Sequence, residues 1–582
     1  MTDRKFAARL LVAMCTALLV MGGLVARLIY LHSGQRTEQL EEIHRLRRLE
    51  KKLTVGRGKI LDTGGHILAL DLVRPEARAD PEAVLRVDAL DQVSTVLADL
   101  LELDREELRT KLNQPERRDV SLLGFGRVVD NRQAERLREL NLPGVFMREM
   151  MVRSYPRGAS LCHVLGFVNL ERHGSAGIEQ RFDRYLRGVP GLLVSELDGR
   201  RRELYNSRML EIRPRPGADV ILTIDQYVQY LVEQALARAV VENDALAGWA
   251  IVQRVQTGEI LAMAGYPGFD GNDFRGTDME IRRNRCISYN FEPGSTFKMA
   301  VIAAALDAGV VRPEQVYDCE NGVWIHHNRP LRDYHPHGML TVADIIKKSS
   351  NIGAAKIALE LGANRLYRYL REFGVGEAME VDLPGEERGI LHPTSRWSAL
   401  SVSRIAMGHE VAVTALQVLG ILNALANDGV LMKPLIVREV RDKDGRVLWR
   451  AEREELGRPV RPETAALMMR LLARVTEEDG TGRRARVPGY TVAGKTGTAQ
   501  KIVDGAYSER LNISSFVGVL PAENPRLGII VVLDEPKAVR TGGAAAAPVF
   551  SEIAGQAVRY LDIAPTAQRQ GLTAAPTIQG SF

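Results

Sequence analysis

The sequence predicts a mixed α/β protein of more than one domain, tethered by a single N-terminal helix. Three observations carry this. An apolar segment at residues 10–31 follows Arg4, Lys5 and Arg9. Paired runs of strand-forming residues, 249–254 with 259–264 and 513–520 with 527–533, are joined through Thr257-Gly258 and through Pro521 to Pro525 and read as hairpins. Helical stretches begin near Ser295, Thr341 and Ile352.

Taken in order, the first element is the apolar one. Its charge-free part, 10–26, is short for a span, which needs about 20 residues, and Arg27 snorkels at the far interface. The preceding cations keep the N-terminus in the cytoplasm. No A-x-A cleavage site follows, which favours an uncleaved anchor over a signal peptide. Everything after it is expected on the outer side of the membrane. Leu40, Ile43, Leu46, Leu49 and Leu53 recur at helical spacing among charges and predict a stalk helix. From Gly56 to about Arg213 the sequence reads as a mixed α/β pedestal without a catalytic constellation. Arg213-Pro214-Arg215-Pro216-Gly217 reads as a linker. The tail after Pro565 is rich in Ala, Thr, Gln and Gly and is expected to be disordered. The expected division is 1–9 cytoplasmic, 10–31 transmembrane, 32–215 stalk and pedestal, 216–562 catalytic, and 563–582 tail.

Composition narrows the function classes. With 582 residues the chain has room for two or more cores. A net charge of +5, from 78 bases and 73 acids, is too small and too dispersed to suggest nucleic acid. Four cysteines are too few for a disulfide scaffold. His326, His327, His335 and His337 cluster, but the plainer reading is a polar loop at a cleft rim, not a metal site. No cofactor is expected.

Three short motifs follow one another in a fixed order: Ser295-Thr296-Phe297-Lys298, Ser349-Ser350-Asn351 and Lys495-Thr496-Gly497-Thr498. Singly they are weak, since an S-x-x-K is expected about once by chance at this length and composition. In sequence they describe a serine acyl-transfer site. Ser295 stands after Glu292-Pro293-Gly294 at the start of an alanine-rich helix, where unpaired N–H groups favour developing negative charge. Lys298 lies three residues on, hence on the same face. It serves as a base only if burial or a nearby cation, for which Lys495 is a candidate, depresses its pKa. Thr341 caps the next helix, Val342–Lys348, with Asp344 completing a capping box. Ser349 is placed to relay a proton, and Asn351 to hold a substrate amide. Ser350 is expected to point away from the cleft. A strand through Tyr490-Thr491-Val492 leads into the third motif. Gly494 and Gly497 leave room for a peptide to lie alongside as an added strand. Thr496 and Thr498 offer hydroxyls to a substrate carboxylate, and Lys495 offers charge. The backbone N–H groups of Ser295 and Thr498 are the expected oxyanion hole.

With these motifs the chain resembles the class B penicillin-binding proteins, the peptidoglycan D,D-transpeptidases. The likeness extends to Arg57-Gly58-Lys59-Ile60-Leu61-Asp62, Arg153-Ser154-Tyr155-Pro156 and Gly177-Ile178-Glu179 in the pedestal. It continues through Leu222-Thr223-Ile224-Asp225, the 257–263 segment and Arg283-Asn284-Arg285. Thr63 stands where the family usually has Arg. Within the family, Ser349-Ser350-Asn351 resembles the division-specific (septal) members; elongation-specific relatives more often carry Asp at the third position.

The resemblance implies a penicillin-binding transpeptidase domain, a five-stranded antiparallel sheet flanked by helices, on an N-terminal mixed α/β pedestal. It implies a D-Ala-D-Ala stem-peptide donor, an amine acceptor from a neighbouring stem peptide, and inhibition by β-lactams. A polytopic peptidoglycan glycosyltransferase and other division proteins are the implied partners, and the cytoplasmic membrane the implied location. The competing readings are an elongation-specific transpeptidase, a D,D-carboxypeptidase or β-lactamase that uses water, and a non-catalytic membrane scaffold.

Overall fold

The computed structural model describes residues 2–33, 47–124, 127–198, 203–503 and 505–566. They fall into two compact units, Met1–Gly56 with Gly188–Pro216, and Arg57–Arg187 with Gly217–Phe582.

The first unit begins with a helix over Thr2–Ser33. Its stretch Arg4–Ser33 is long and apolar enough to cross a membrane, by length and composition. A small antiparallel sheet follows, in which Arg48–Leu53 pairs with Gly191–Leu197. Here the stalk-helix expectation fails for the residues that can be seen. Leu49 and Leu53 lie in this strand, opposite Ser195 and Gly191. A spacing of four satisfies the period of a strand as well as that of a helix, and pairing with a segment some 140 residues away decides between them. Leu40, Ile43 and Leu46 lie outside the described residues, as does the tail from 567 onward.

In the second unit, the pedestal motifs meet at a buried ion cluster. Arg57 Nε and Arg153 Nε each lie 2.6 Å from one oxygen of Glu179, and all three side chains are shut off from solvent. Arg57 also reaches Asp183 at 2.6 Å and Arg153 reaches Asp71 at 3.3 Å. Buried charges persist only when paired and hydrogen-bonded in this way. The three distant sequence motifs are thus parts of one joint. In the same unit, Arg438 donates to the carbonyl oxygen of Thr63 at 3.1 Å and to its hydroxyl. A guanidinium from elsewhere in the chain therefore contacts the position where the family usually has its own arginine.

The catalytic half is organised by five antiparallel strands: β1 (Ala247–Arg254), β2 (Ile260–Tyr266), β3 (Ala493–Val503), β4 (Ala506–Leu520) and β5 (Leu527–Asp534). Their order is β2-β1-β5-β4-β3. The helices used below are α1 (Gln226–Glu242), α2 (Lys298–Asp307), α3 (Val342–Lys348), α4 (Asn351–Leu361) and α5 (Gly542–Tyr560). Strand periodicity sorts the core into two layers. Trp249, Ile251, Val517, Val519, Ile530 and Val532 face the layer that holds α2, α3 and α4. Ala250, Val252, Phe516, Val531 and Leu533 face α1 and α5. A sheet buried on both faces is a rigid platform. Its last strand, β3, carries the third motif and has no strand partner on its outer edge among the described residues. The strand starts at Ala493, so the motif lies inside it, while of Tyr490-Thr491-Val492, expected as its lead-in, Tyr490 bridges Val487 across the Pro488-Gly489 turn and Thr491-Val492 form a connector.

Candidate active site

Ser295 sits in a single 3-10 turn, Gly294–Phe297, that runs straight into α2. Gly294 has a φ of 55°, and a side chain on it would come 2.7 Å from the Thr498 carbonyl oxygen. Glycine therefore lets the turn that carries Ser295 press against β3. In an antiparallel strand a residue's N–H and C=O point to the same side. The Thr498 N–H thus shares the side facing the turn that carries Ser295.

Lys298, the first residue of α2, is fully buried. Its Nζ lies 3.1 Å from Ser295 Oγ, 2.7 Å from Asn351 Oδ1, 2.6 Å from the Ser349 carbonyl oxygen and 3.3 Å from Ser349 Oγ. Burial pushes its amine down to about 7, against a smaller upward pull from Asp333. Burial is therefore the cause for Lys298, and the proximity of a cation is not needed. Lys495 is also fully buried; burial first, and the neighbouring Lys298 second, hold it well below the ordinary lysine value. Its Nζ lies 2.9 Å from Ser349 Oγ.

Ser349 ends α3 as its left-handed cap, with φ 65°. Thr341 caps the start of that helix by accepting the Asp344 N–H at 3.1 Å. The expected capping box differs in one bond: the Asp344 carboxylate takes the Thr341 hydroxyl at 2.7 Å. Ser350 caps α4, accepting the Gly353 N–H at 3.0 Å, and is buried away from the two lysines. Asn351 is oriented from both ends, since its Nδ2 donates to the Arg332 carbonyl oxygen at 2.8 Å while its Oδ1 faces Lys298.

On β3, Thr496 Oγ1 is 3.4 Å from Lys495 Nζ, and Thr498 Oγ1 accepts the Gly542 N–H at 3.1 Å. The glycines play a different part from the expected one. A side chain on Gly494 would meet the Val517 carbonyl oxygen at 2.5 Å, and one on Gly497 would meet Ser515 Oγ at 2.3 Å and Thr296 Cγ2 at 2.8 Å. They give room to the neighbouring strand and to the turn that carries Ser295. All eight singled-out residues, Ser295, Lys298, Ser349, Asn351, Lys495, Thr496, Gly497 and Thr498, thus belong to one locality. A cavity of about 880 Å³ lined by Tyr227, Tyr230, Glu233 and Tyr560 lies along β2, at the opposite edge of the sheet, and includes none of them.

Sequence reasoning passed over Asp333. Its Oδ1 accepts the N–H groups of Asn351 and Ile352, the latter at 3.0 Å, and its Oδ2 accepts the Ser350 hydroxyl at 2.7 Å. Asp333 lies 16 residues before Ser349 in a loop with no motif around it, so only its type, an acid upstream of a helix start, offered a signal. Among the described residues, no group of three or more His, Cys, Asp or Glu is gathered as for a metal. His326 instead stacks on Trp324 and meets the ring of His327.

This geometry sets a serine beside a buried lysine, with a second serine shared by two lysines, an arrangement chemically able to support acyl transfer. The chain matches the Penicillin binding protein transpeptidase domain over residues 248–555 and the Penicillin-binding Protein dimerisation domain over 52–222. It is 32% identical over 564 residues to the probable peptidoglycan D,D-transpeptidase PenA of Neisseria meningitidis, covering 95% of this chain and 92% of that one. It is 32% identical to peptidoglycan D,D-transpeptidase FtsI of Escherichia coli over 90% of this chain and 86% of the relative. To stage V sporulation protein D of Bacillus subtilis it is 32% identical, over 88% and 79%. Among solved structures it is similar to penicillin-binding protein 3 of Mycobacterium tuberculosis complexed with aztreonam, with a TM-score of 0.69, 27% identity, and 88% and 98% of the two chains covered. The chain belongs to the class B penicillin-binding proteins, enzymes of the D,D-transpeptidase type.

Proposed function

We propose that this chain cross-links peptidoglycan stem peptides through an acyl-enzyme on Ser295, in septal wall synthesis, from a single-pass anchor with its N-terminus in the cytoplasm. The observation that carries the reaction is the 3.1 Å approach of the Lys298 amine to Ser295 Oγ, with the amine held near 7 by burial. A lysine that is about half deprotonated near neutrality has a neutral fraction able to take the hydroxyl proton as Ser295 attacks.

In the first step the serine oxygen bonds to the carbonyl carbon of the penultimate D-Ala, and the amide C–N bond breaks. The leaving D-alanine takes its proton through Ser349, whose oxygen accepts from both lysines while its own hydrogen points elsewhere. In the second step an amine from a neighbouring stem peptide attacks the ester, loses a proton to the same group, forms the new amide and frees Ser295. The N–H groups of Ser295 and Thr498 hold the oxyanion. Thr496, Gly497 and Thr498 bind the donor along the free edge of β3, and Asn351 holds its amide. A substrate carboxylate arriving beside Lys495 restores that lysine's charge, because an opposite charge favours the ionised form. A β-lactam imitates the donor and is retained as a slowly hydrolysed ester.

Residues 216–562 are assigned to catalysis and 32–215 to the stalk and pedestal, which docks a polytopic glycosyltransferase and other division proteins. The septal role is supported by Ser349-Ser350-Asn351. Depleting the protein tests it: filamentous cells support it, and swollen or rounded cells favour elongation.

The reaction is tested by incubating the detergent-solubilised full chain with a penicillin and following intact mass. A persistent single adduct mapping to Ser295 is expected. An adduct that vanishes quickly makes the enzyme a hydrolase, and no adduct overturns the assignment of Ser295.

A further inference from the structure

We propose that Thr481 is a positioning residue for acyl transfer, whose hydroxyl sets the direction of the hydrogen bonds joining the second and third motifs. The inference rests on the reading of Ser295, Ser349 and Lys495 as catalytic.

The Thr496 hydroxyl donates to Thr481 Oγ1 at 3.1 Å, and the Thr481 hydroxyl donates to the Lys347 carbonyl oxygen at 3.5 Å. That carbonyl belongs to the last turn of α3, two residues before Ser349. At the other end Lys495 Nζ reaches both Thr496 Oγ1, at 3.4 Å, and Ser349 Oγ, at 2.9 Å. The bonds therefore close a ring from Ser349 through Lys495, Thr496 and Thr481 back to the chain segment that carries Ser349.

The direction of the bonds around the ring is set by the Thr481–Lys347 contact, the longest of them at 3.5 Å. A carbonyl only accepts. Thr481 spends its hydrogen on Lys347, so its oxygen is left to accept from Thr496. Thr496 then spends its own hydrogen on Thr481, and its oxygen is left facing Lys495. With Thr496 fixed as an acceptor, Lys495 has no reason to turn from Ser349 to take up a competing hydrogen. The Ser349 oxygen accepts from both lysines, and its hydrogen is free for the departing amine.

The surroundings hold Thr481 in this place. A side chain on Gly480 would sit 2.2 Å from the Val475 carbonyl oxygen, one on Gly482 would touch the Phe516 ring at 3.0 Å, and one on Gly543 would come 2.4 Å from the Thr481 carbonyl oxygen. The acidic stretch just before it is clipped to the end of α3: Lys347 pairs with Glu477 and Asp479 at 2.6 Å each, and Lys348 with Asp479 at 2.9 Å. The same helix end thus carries Ser349 and anchors the turn that orients Thr496.

The test compares penicillin acylation of the full-length wild type with T481V, T481A and T481S, reading the limiting rate, the half-saturating concentration and the melting temperature. T481V keeps the shape and removes both bonds; T481A does the same should the valine variant not fold; T481S keeps both bonds. The expected result is a fall of about tenfold or more in the limiting rate for valine or alanine, of the size that small misplacements cause, with half-saturation little changed. T481S should restore the rate at any melting temperature. A wild-type limiting rate in T481V or T481A overturns the inference, as does T481S as slow as they are. A wild type that forms no adduct at all overturns the reading of Ser295, and the inference falls with it.

Discussion

Lys298 and Lys495 converge on one hydroxyl: their Nζ atoms stand 3.3 Å and 2.9 Å from Ser349 Oγ. Two amines of the same potential sign, both removed from water, repel each other once both are protonated. The site therefore holds fewer protons than two free lysines would, and Ser349 is the residue proposed to pass a proton between them. Ser349→Ala removes that shared acceptor without touching the nucleophile. The expected outcome is a loss of about 100-fold or more in penicillin acylation, the range for a lost proton-transfer group, with Ser295 still the labelled residue. Stopped-flow acylation with a chromogenic β-lactam checks it, and a rate within a few-fold of wild type contradicts the relay.

The pH dependence follows from Lys298. The base works only without its proton, so acylation should rise with pH, by about tenfold per unit below the inflection, and level off above about 7. Lys298→Arg keeps its proton throughout. It should lose activity at every pH and show no inflection near 7. Stability also rises with pH, over a higher window. The folded-state value lies below the unfolded one, about 10.4, so the unfolded chain binds more protons between the two, and stability rises with pH across that window. Replacing the buried amine by an apolar chain in Lys298→Met should raise stability at pH 7 by about 1–2 kcal/mol, read as a higher melting temperature.

Much of this was legible because it is local. The three motifs are short, and Ser295 and Lys298 meet through helical geometry alone. The hairpins announce themselves by apolar runs on either side of turn residues, and the structure places β1 with β2 and β4 with β5 as neighbouring antiparallel pairs. What stayed hidden is set by long-range approach. Leu49 and Leu53 fit a helix until Gly191–Leu197 pairs with them. Gly494 and Gly497 suggest space for substrate until β4 and Thr296 are seen to fill it. Asp333 and Thr481 carry no spacing signal, because each meets its motif only through the fold.

Asp333 supports the second motif and tunes the first. Its carboxylate receives two backbone N–H groups and the Ser350 hydroxyl, and its charge pulls the Lys298 value upward. In Asp333→Asn the amide oxygen can keep the two backbone N–H groups while its NH2 turns the Ser350 hydroxyl from donor to acceptor, so bonds to a charged group become neutral ones, which should cost about 1 kcal/mol of stability. The charge is also lost, so the acylation inflection should move below its wild-type position near 7. A pH–rate profile separates the two effects. An inflection that stays in place, or rises, contradicts the electrostatic link between Asp333 and Lys298.

The pedestal joint offers a test far from the chemistry. Glu179 is wholly buried and answers both Arg57 and Arg153 at 2.6 Å. Glu179→Ala leaves two guanidinium groups in the interior with one acid fewer between them, and removing one partner of a buried pair costs about 3–5 kcal/mol. Glu179→Gln keeps the shape but presents an amide hydrogen to at least one arginine, so it should recover little. Asp71 and Asp183 remain to pair with Arg153 and Arg57, which holds the loss below that of stripping both arginines bare. The melting temperature of the full chain should fall steeply in both variants, while any protein that stays folded should still be acylated at Ser295. Unchanged melting in Glu179→Ala would mean that water or the remaining acids satisfy the arginines, and that the three pedestal motifs are not joined through this carboxylate.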